Sequence, residues 1–519
     1  MSARRSSSLL VAWLLGACSD AAPGVSSAGL AFSGVPPASA ITTGSATSEA
    51  APKPDGLLHY RVVDAATHAP IPCKLTFLGV GNTLEPAFSR SDEPRQETRA
   101  IAAYNRVFSL GGEGSLKVPI GLYTVLVSRG LEWTLVERNV EITREGARLD
   151  AELLHVIETP GWVSADFHVH ASGSFDSKVP MDARVYEFVS DGVDMIVSTD
   201  HNVITDYGPI IETLGARAWL ASTTGDEVTT PYWGHFGVFP LPLTDSPPRN
   251  GAVQTRGRTP KQIFEAVRKK FKDSIINVNH PRFDKGLGYF TIGGMNAKTR
   301  KAKRQGFSFD FDAIEILNGY QDFERQQVEE VMQDWFGLLQ NGQVATATGN
   351  SDTHHLHYNL GGYPRNYVAV LDDAPSRVTP QAVAAGLRAH RSFFTTGPVL
   401  SLTSGTAQMG DLVTPVNGKV SLHITVRAAP WVPVDRVTLY QLGKVVQTFE
   451  VSQVAVPLRF DQTIERSVAG DDFFVVTAEG NTALPAVVGD GDAFKVLPFA
   501  LTNPILVDAD GDGRFRPKH

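Results

Sequence analysis

Hydrophobic and polar positions change rhythm along this chain, and each change marks a different kind of element. From Leu57, short runs such as LLHYRVVD, CKLTFLGV, GLYTVLVSR and WTLVERNVEIT alternate apolar and polar residues between turn formers. A period of two broken by frequent turns predicts antiparallel strands in a small β-sandwich. After Gly161, apolar strand-like runs alternate with helical stretches. VDMIVST precedes a helix near 204–215, a helix over 260–271 precedes IINVNH, and AIEILNG precedes a long helix near 323–339. That alternation predicts an α/β segment with buried parallel strands. From Pro398 the β rhythm returns in VSLHITVRA, RVTLYQLG, VPLRFDQTI and DFFVVTAEG, which predicts a second sandwich.

The start of the chain follows none of these rhythms. Arg4 and Arg5 precede an apolar run over 9–17, the order of a secretory signal, and the run is too short to remain as a spanning helix. It ends in Leu15-Gly16-Ala17-Cys18, which resembles a bacterial lipobox. The resemblance implies a signal peptide over 1–17, a lipidated Cys18, and an exported cell-envelope protein that meets the membrane through its lipid anchor only. Residues 18–54 are rich in Ala, Ser, Gly and Pro, the composition of a disordered tether. Cys73 is the only other cysteine, so an acylated Cys18 leaves no disulfide framework.

Length and charge narrow the partners. A chain of 519 residues is too long for one core, and the rhythm changes suggest domains over 55–158, 159–396 and 397–519. With 42% hydrophobic and 20% charged residues it falls in the globular range. A net charge of −8 supplies no general basic field, so nucleic acid is excluded as an expected partner in favour of a small-molecule substrate.

Chemistry concentrates in the α/β segment, where polar residues fall at the ends of strand-like runs. WVSADFHVH carries Asp166, His168 and His170; VDMIVST leads to Asp200 and His201; WLASTTG leads to Asp226 and Glu227; IINVN leads to His280; VATATGNSDTH carries Asp352 and His354. Residues at i and i+2 on a strand share a face, so each His or Asp/His pair can reach one ion from a rigid base. A lone strand-end His is usually a hydrogen-bonded structural residue. A whole set in one segment is hard to reconcile with packing, because buried unpaired imidazoles and carboxylates are costly. The set also exceeds the four ligands of a closed structural zinc site, and points to an open polynuclear centre.

ADFHVH, Asp176 after it, STDHN, GDEV, NHP and GNSDTH together resemble the ordered motifs of the PHP (polymerase and histidinol phosphatase) metallohydrolases, over residues 161–394. GHFGVFPL, GGYPRNYVAV and the flanking β-domains are similar to the PHP branch that includes carbaryl hydrolase. HYRVVDAATHAPIPCKLTF through GLYTVLVSRG resembles a carboxypeptidase regulatory-like β-domain, expected as a structural module. The PHP resemblance implies a distorted (β/α) barrel, flanked by N-terminal and C-terminal β-sandwich domains, that holds two or three zinc, manganese or iron ions. By the same resemblance His168, His170, Glu227 and Asp352 hold a first ion. Glu227 bridges to a second with His235 and His280, and Asp176, His201 and His354 hold a third. Asp166 and Asp200 match positions that orient ligands from behind.

The expected reaction is hydrolysis by a metal-bound hydroxide, since paired divalent ions lower the pKa of a shared water. No GxSxG elbow or catalytic-cysteine context is visible in the sequence. His355, with His357 and Tyr358 near it, is a candidate to protonate the leaving group. Arg365 in GGYPRNY, and Arg282 after His280-Pro281, are candidates to stabilise an anionic transition state, against the plain reading of structural ion pairs. The stretch KTRKAKR is expected as a solvated, mobile insertion. DADGDGRF has the aspartate spacing of a calcium loop, but position twelve is His519 instead of Glu, which favours a polar turn. Three functions remain open: hydrolysis of a small ester, carbamate or amide, which rests on the branch resemblance; a phosphoesterase; and a non-catalytic metal-containing surface module.

Overall fold

The computed structural model describes residues 54–283, 288–319, 325–452, 454–489 and 494–517. The signal run, Cys18 and nearly all of the tether lie outside the described residues. The alternation after Leu57 forms strands as expected. Asp55–Asp64 runs exposed-buried-exposed along most of its length, the register of a strand with one face on a core. It lies between Glu113–Pro119, antiparallel, and Ala147–Leu153, parallel. A second sheet orders Arg95–Glu97, Ala100–Ala103, Arg106–Ser109, Cys73–Gly79, Gly121–Ser128 and Val136–Ile142. Leu58 and Val62 of the first sheet meet Leu75, Phe77, Val107 and Val125 of the second in one apolar core.

The α/β segment is built on two sheets. In one, Trp162–Val169, Met195–Ser198 and Ala221–Thr224 run parallel, and Trp162–Val169 also pairs antiparallel with Arg365–Ala369. In the other, the hairpin Asp226–Thr230 and Gly234–Phe239 leads into Ile275–Val278, Ala313–Asn318 and Thr346–Asn350, the last three parallel. The distorted barrel implied by the PHP resemblance does not form: the sheets do not close. Single bridges, Val169 to Thr353 and His201 to Glu227, are the backbone pairing between them.

The expected helices are found with shifted ends. Pro260–Lys270 starts with a capping box between Thr259 and Gln262, and the long helix covers Arg325–Gln340. The helix near 204–215 shrinks to Gly208–Thr213, because Thr205 turns its hydroxyl to Asp200 instead of entering a helical turn. Met181–Ser190 is a further helix, buried at every position from Ala183 to Ser190. The stretch KTRKAKR was expected to be a mobile insertion, but it forms a turn and a two-stranded ribbon, Met295–Asn296 with Lys301–Ala302. Arg304 stacks on Trp233 at 3.9 Å and donates to the Tyr232 carbonyl at 2.6 Å.

The sheet that starts at Ala221–Thr224 runs on through Ser392–Thr395 to Phe499–Thr502, Asp472–Glu479, Arg436–Gln441 and Lys444–Glu450. A four-stranded sheet containing Val399–Ser404 and Lys419–Arg427 packs on it through Leu402, Leu422, Ile424, Val437 and Val476. At the chain's end Asp508 accepts the main-chain N–H groups of Gly511, Asp512 and Gly513, a polar turn.

Candidate metal centre

Strand ends from both sheets converge on one buried cluster. Along Trp162–Val169 the odd positions Val163, Ala165 and Phe167 enter an apolar core, so the period of two turns His168 to the other face, and His170 follows just past the strand. His168 Nε2 lies 3.0 Å from Glu227 Oε1 and 3.1 Å from Asp352 Oδ1, and His170 Nε2 lies 3.0 Å from Asp352 Oδ1. His235 Nδ1 and His280 Nε2 approach Glu227 Oε1 at 3.2 and 3.4 Å. His201 joins Glu227 to the outer group, with Nδ1 2.7 Å from Glu227 Oε2 and Nε2 3.0 Å from Asp176 Oδ2. His354 Nε2 lies 3.4 Å from the same Asp176 oxygen.

All nine residues expected as ligands are therefore in one place, and their ligand atoms form four overlapping groups within 4.8 Å. These are His168, His170 and Asp352; His168, Glu227 and His280; His201, Glu227 and His235; and His170, Asp176, His201 and His354. The allotment differs from the expected one: His168 joins Glu227 and His280, His170 joins the outer group, and His201 meets Glu227 and His235 as well as the outer group. His235 reaches Glu227 despite its short sequence separation, because in the hairpin Asp226–Thr230 and Gly234–Phe239 it lies opposite Thr229, diagonal to Glu227 on the same face.

Several atoms here lack hydrogen bonds. His170 Nε2, Glu227 Oε2, His235 Nδ1 and His280 Nδ1 are buried without one. Each would cost about 1–3 kcal/mol if left so. Divalent cations fit this donor set, since imidazole nitrogens and carboxylate oxygens are the ligands that zinc, manganese and iron take. His280 and Asp352 also sit at φ of 27° and 50°, a region that non-glycine residues avoid and that functional sites retain.

Neighbouring residues fix the imidazole tautomers. His168 Nδ1 donates to Glu315 Oε1 at 3.1 Å, while its Nε2 accepts from Asn279 at 3.3 Å. Glu315 also accepts from Asn318, Asn350 and the His280 main-chain N–H. Ser174 donates to Asp200 and so must accept from His170 Nδ1, at 2.8 Å, which leaves Nε2 aimed at the cluster. Asp200 also accepts from Ala171 and Thr205, and Asp166 from the main chain at His168, Ser351 and Gly362. Both aspartates bind the turns that border the cluster residues. A Cβ at Gly173 would collide with the Asp200 carboxylate, so the turn needs glycine there.

The field inside the cluster is strongly split. Burial raises the cost of every charge, but His201, His235 and His168 outweigh it and hold the Glu227 carboxyl well below its usual range. Burial likewise opposes the charge on His201, yet Glu227 and Asp176 push its pKa up to about 10. His170 goes the other way, down to about 3, through burial and the neighbouring His354. Two carboxylates buried among imidazoles, Glu227 and Asp352, with the more exposed Asp176 at the rim, make a site in which positive charge is stabilised.

The proton-transfer and anion-stabilising candidates fare differently. Arg365 is fully buried, and its Nε, Nη1 and Nη2 donate to the carbonyls of Gly362, Gly192 and Asp191. It holds backbone turns, which corrects its expected catalytic place. Arg282 forms a two-pronged pair with Asp334 at 2.6 and 3.0 Å, the structural alternative. His355 places Nδ1 2.8 Å from Asp92 of the N-terminal β segment, and His357 stacks on Tyr104. The sequence reading missed Glu315, Asn279, Ser174 and Arg184. The last of these donates to the carbonyls of His170, Thr353 and His355. A charged residue inside the apolar run AIEILNG is the one signal that pointed to Glu315.

No family model and no curated protein matches the chain. Among solved structures it is similar to Endonuclease Q in complex with a 27-mer duplex that has an abasic lesion at the active site. It is also similar to the lesion-specific endonuclease PfuEndoQ from Pyrococcus furiosus. In both comparisons identity is 15% and the TM-score 0.29, over 44% of this chain and 56% of the endonuclease. The match thus spans just over half of the endonuclease chain, and the likeness is too slight to transfer a fold or an activity. One correction follows: the exclusion of a nucleic-acid partner, drawn from net charge, is withdrawn, because these neighbours are endonucleases and one was solved on DNA.

Proposed function

We propose that this chain is a metal-dependent hydrolase whose active centre is the His168–Glu227–Asp352 cluster with His170, Asp176, His201, His235, His280 and His354 around it. The observation that carries the reading is the convergence of these side chains in one buried place with several ligand atoms lacking hydrogen bonds. Divalent cations held there supply Lewis acidity toward a carbonyl or phosphoryl oxygen and acidify water near neutral pH. The chain's own residues do the rest. Glu227 spans the inner and outer groups, Glu315 and Ser174 hold the Nε2 lone pairs of His168 and His170 inward, and burial keeps bulk water from screening the site. The substrate class is a small ester, carbamate or amide, which rests on the sequence resemblance to the carbaryl-hydrolase branch.

Elemental analysis of the full chain tests the reading. Wild type is expected to hold at least two equivalents of zinc, manganese or iron, with at least one lost in His168→Ala and in Asp352→Ala, and turnover reduced by more than the roughly 10–100-fold that losing a group behind a ligand costs. Unchanged metal content in both variants would sink the assignment. Turnover of aryl phosphates or DNA phosphodiesters without turnover of aryl esters or carbamates would keep the centre and replace the substrate class.

A further inference from the structure

The loop that carries Asp352 and His354 is held from outside the α/β segment. Asp92 belongs to the N-terminal β segment, 263 residues from His355 in sequence, yet its Oδ2 accepts from His355 Nδ1 at 2.8 Å. Its Oδ1 accepts the Leu356 main-chain N–H at 2.9 Å and the Tyr104 hydroxyl at 3.3 Å. The Tyr104 ring lies on His357 at 4.4 Å with planes 14° apart. From the α/β segment, Arg184 binds the Thr353 and His355 carbonyls, and the Asn359 side chain takes the His354 N–H at 2.7 Å. Asp352 keeps a φ of 50°. A left-handed non-glycine residue costs on the order of 1–3 kcal/mol and persists only where its surroundings over-determine it. Asp92 supplies two of the bonds that do so.

We propose that Asp92 is a positioning residue for the metal centre: by bridging His355 and Leu356 it fixes the turn that presents Asp352 and His354 to the cluster. The inference rests on reading Asp352 and His354 as metal ligands. It makes the N-terminal β segment part of the working centre, where the sequence suggested a structural module.

The test uses the full chain titrated with Co²⁺, read by its visible d–d bands and by cobalt affinity. Asp92→Ala is expected to weaken cobalt binding by roughly 10–100-fold, the usual cost of losing support behind a ligand, and to shift the bands. Asp92→Asn keeps an acceptor for Leu356 but sets an amide against His355, so it should shift the bands with a smaller loss of affinity. It also keeps the test valid if the alanine variant does not fold. Phe88→Ala removes a buried side chain from the same segment without touching the loop. It should lower thermal stability and leave both cobalt readouts in place. Wild-type bands and affinity in Asp92→Asn, or equal shifts in Phe88→Ala, would overturn the proposal. The wild-type and Asp352→Ala titrations report separately on the metal centre itself, so failure of that reading shows as no cobalt uptake, or none lost on removing Asp352.

Discussion

A single imidazole can offer only one lone pair to a cation, and which nitrogen offers it depends on what the other one does. His168 has that choice made by Glu315, which sits on Ala313–Asn318 and accepts four donors inside the core. Glu315→Ala is expected to lower metal affinity by about 10–100-fold while His168 itself remains. Isothermal titration with zinc against the wild type measures it, and equal affinity would show that His168 needs no such support. His168 with His170 and Asp352 with His354 were legible as pairs spaced by two at the ends of strand-like runs, and His201, Glu227 and His280 as further strand-end residues, whereas Asp176 and His235 were reached only through the PHP resemblance. Glu315 and Ser174 were not, since one carboxylate in an apolar strand, or one serine in a turn, has many other uses. Arg365 misled for the opposite reason: nothing in GGYPRNY reveals that the guanidinium ends among main-chain carbonyls.

Elements were read where they show two unlike faces. Pro260–Lys270 has a capped start, buried Ile263, Phe264 and Val267, and basic residues in its last turn, so period and ends agree. Met181–Ser190 went unread because it is enclosed from Ala183 onward, so that its polar Arg184 and Glu187 pair with each other inside the fold, and it starts at Pro180 with no side-chain cap. The end of Pro380–Arg388 holds a pH-sensitive group. His390 follows that helix, and burial pushes its pKa down to about 4. Thr346 donates to the Leu387 carbonyl at 2.6 Å and takes the His390 Nδ1–H at 2.7 Å, an arrangement that suits neutral imidazole. The folded chain therefore keeps His390 neutral while the unfolded chain protonates it below about pH 6.5. Its contribution is present above pH 6.5 and is lost as pH falls toward 4, with a slope of up to ~1.4 kcal/mol per pH unit for this one proton. His390→Gln should flatten denaturation midpoints over that window. An unchanged slope would assign the acid sensitivity elsewhere.

At the scale of the whole molecule, polar contacts tie the β segments to each other and to the α/β segment, a feature no local pattern announces. Trp431 donates to the Trp133 carbonyl at 2.8 Å, and Arg106 reaches the Gly489 carbonyl. The strongest tie is Lys74 on Cys73–Gly79 with Asp191 at the end of Met181–Ser190. Both are fully buried, 2.6 Å apart, and Tyr363 donates to Asp191 at 3.1 Å. Burial pushes the Lys74 pKa down, with Asp191 opposing that shift. Two charges taken from water gain little over a well-packed apolar pair, but removing one partner leaves the other uncompensated. Lys74→Met should thus cost about 3–5 kcal/mol, and Lys74→Met with Asp191→Leu distinctly less than the two single losses added together. Urea denaturation of the metal-loaded chain measures the cycle. Additive losses would mean that Lys74 and Asp191 are satisfied separately and that the join depends on its apolar contacts. Strong coupling would mean that the N-terminal segment and the helix bordering the metal centre unfold together, so damage to the sandwich would reach the ligands through Asp191 as well as through Asp92.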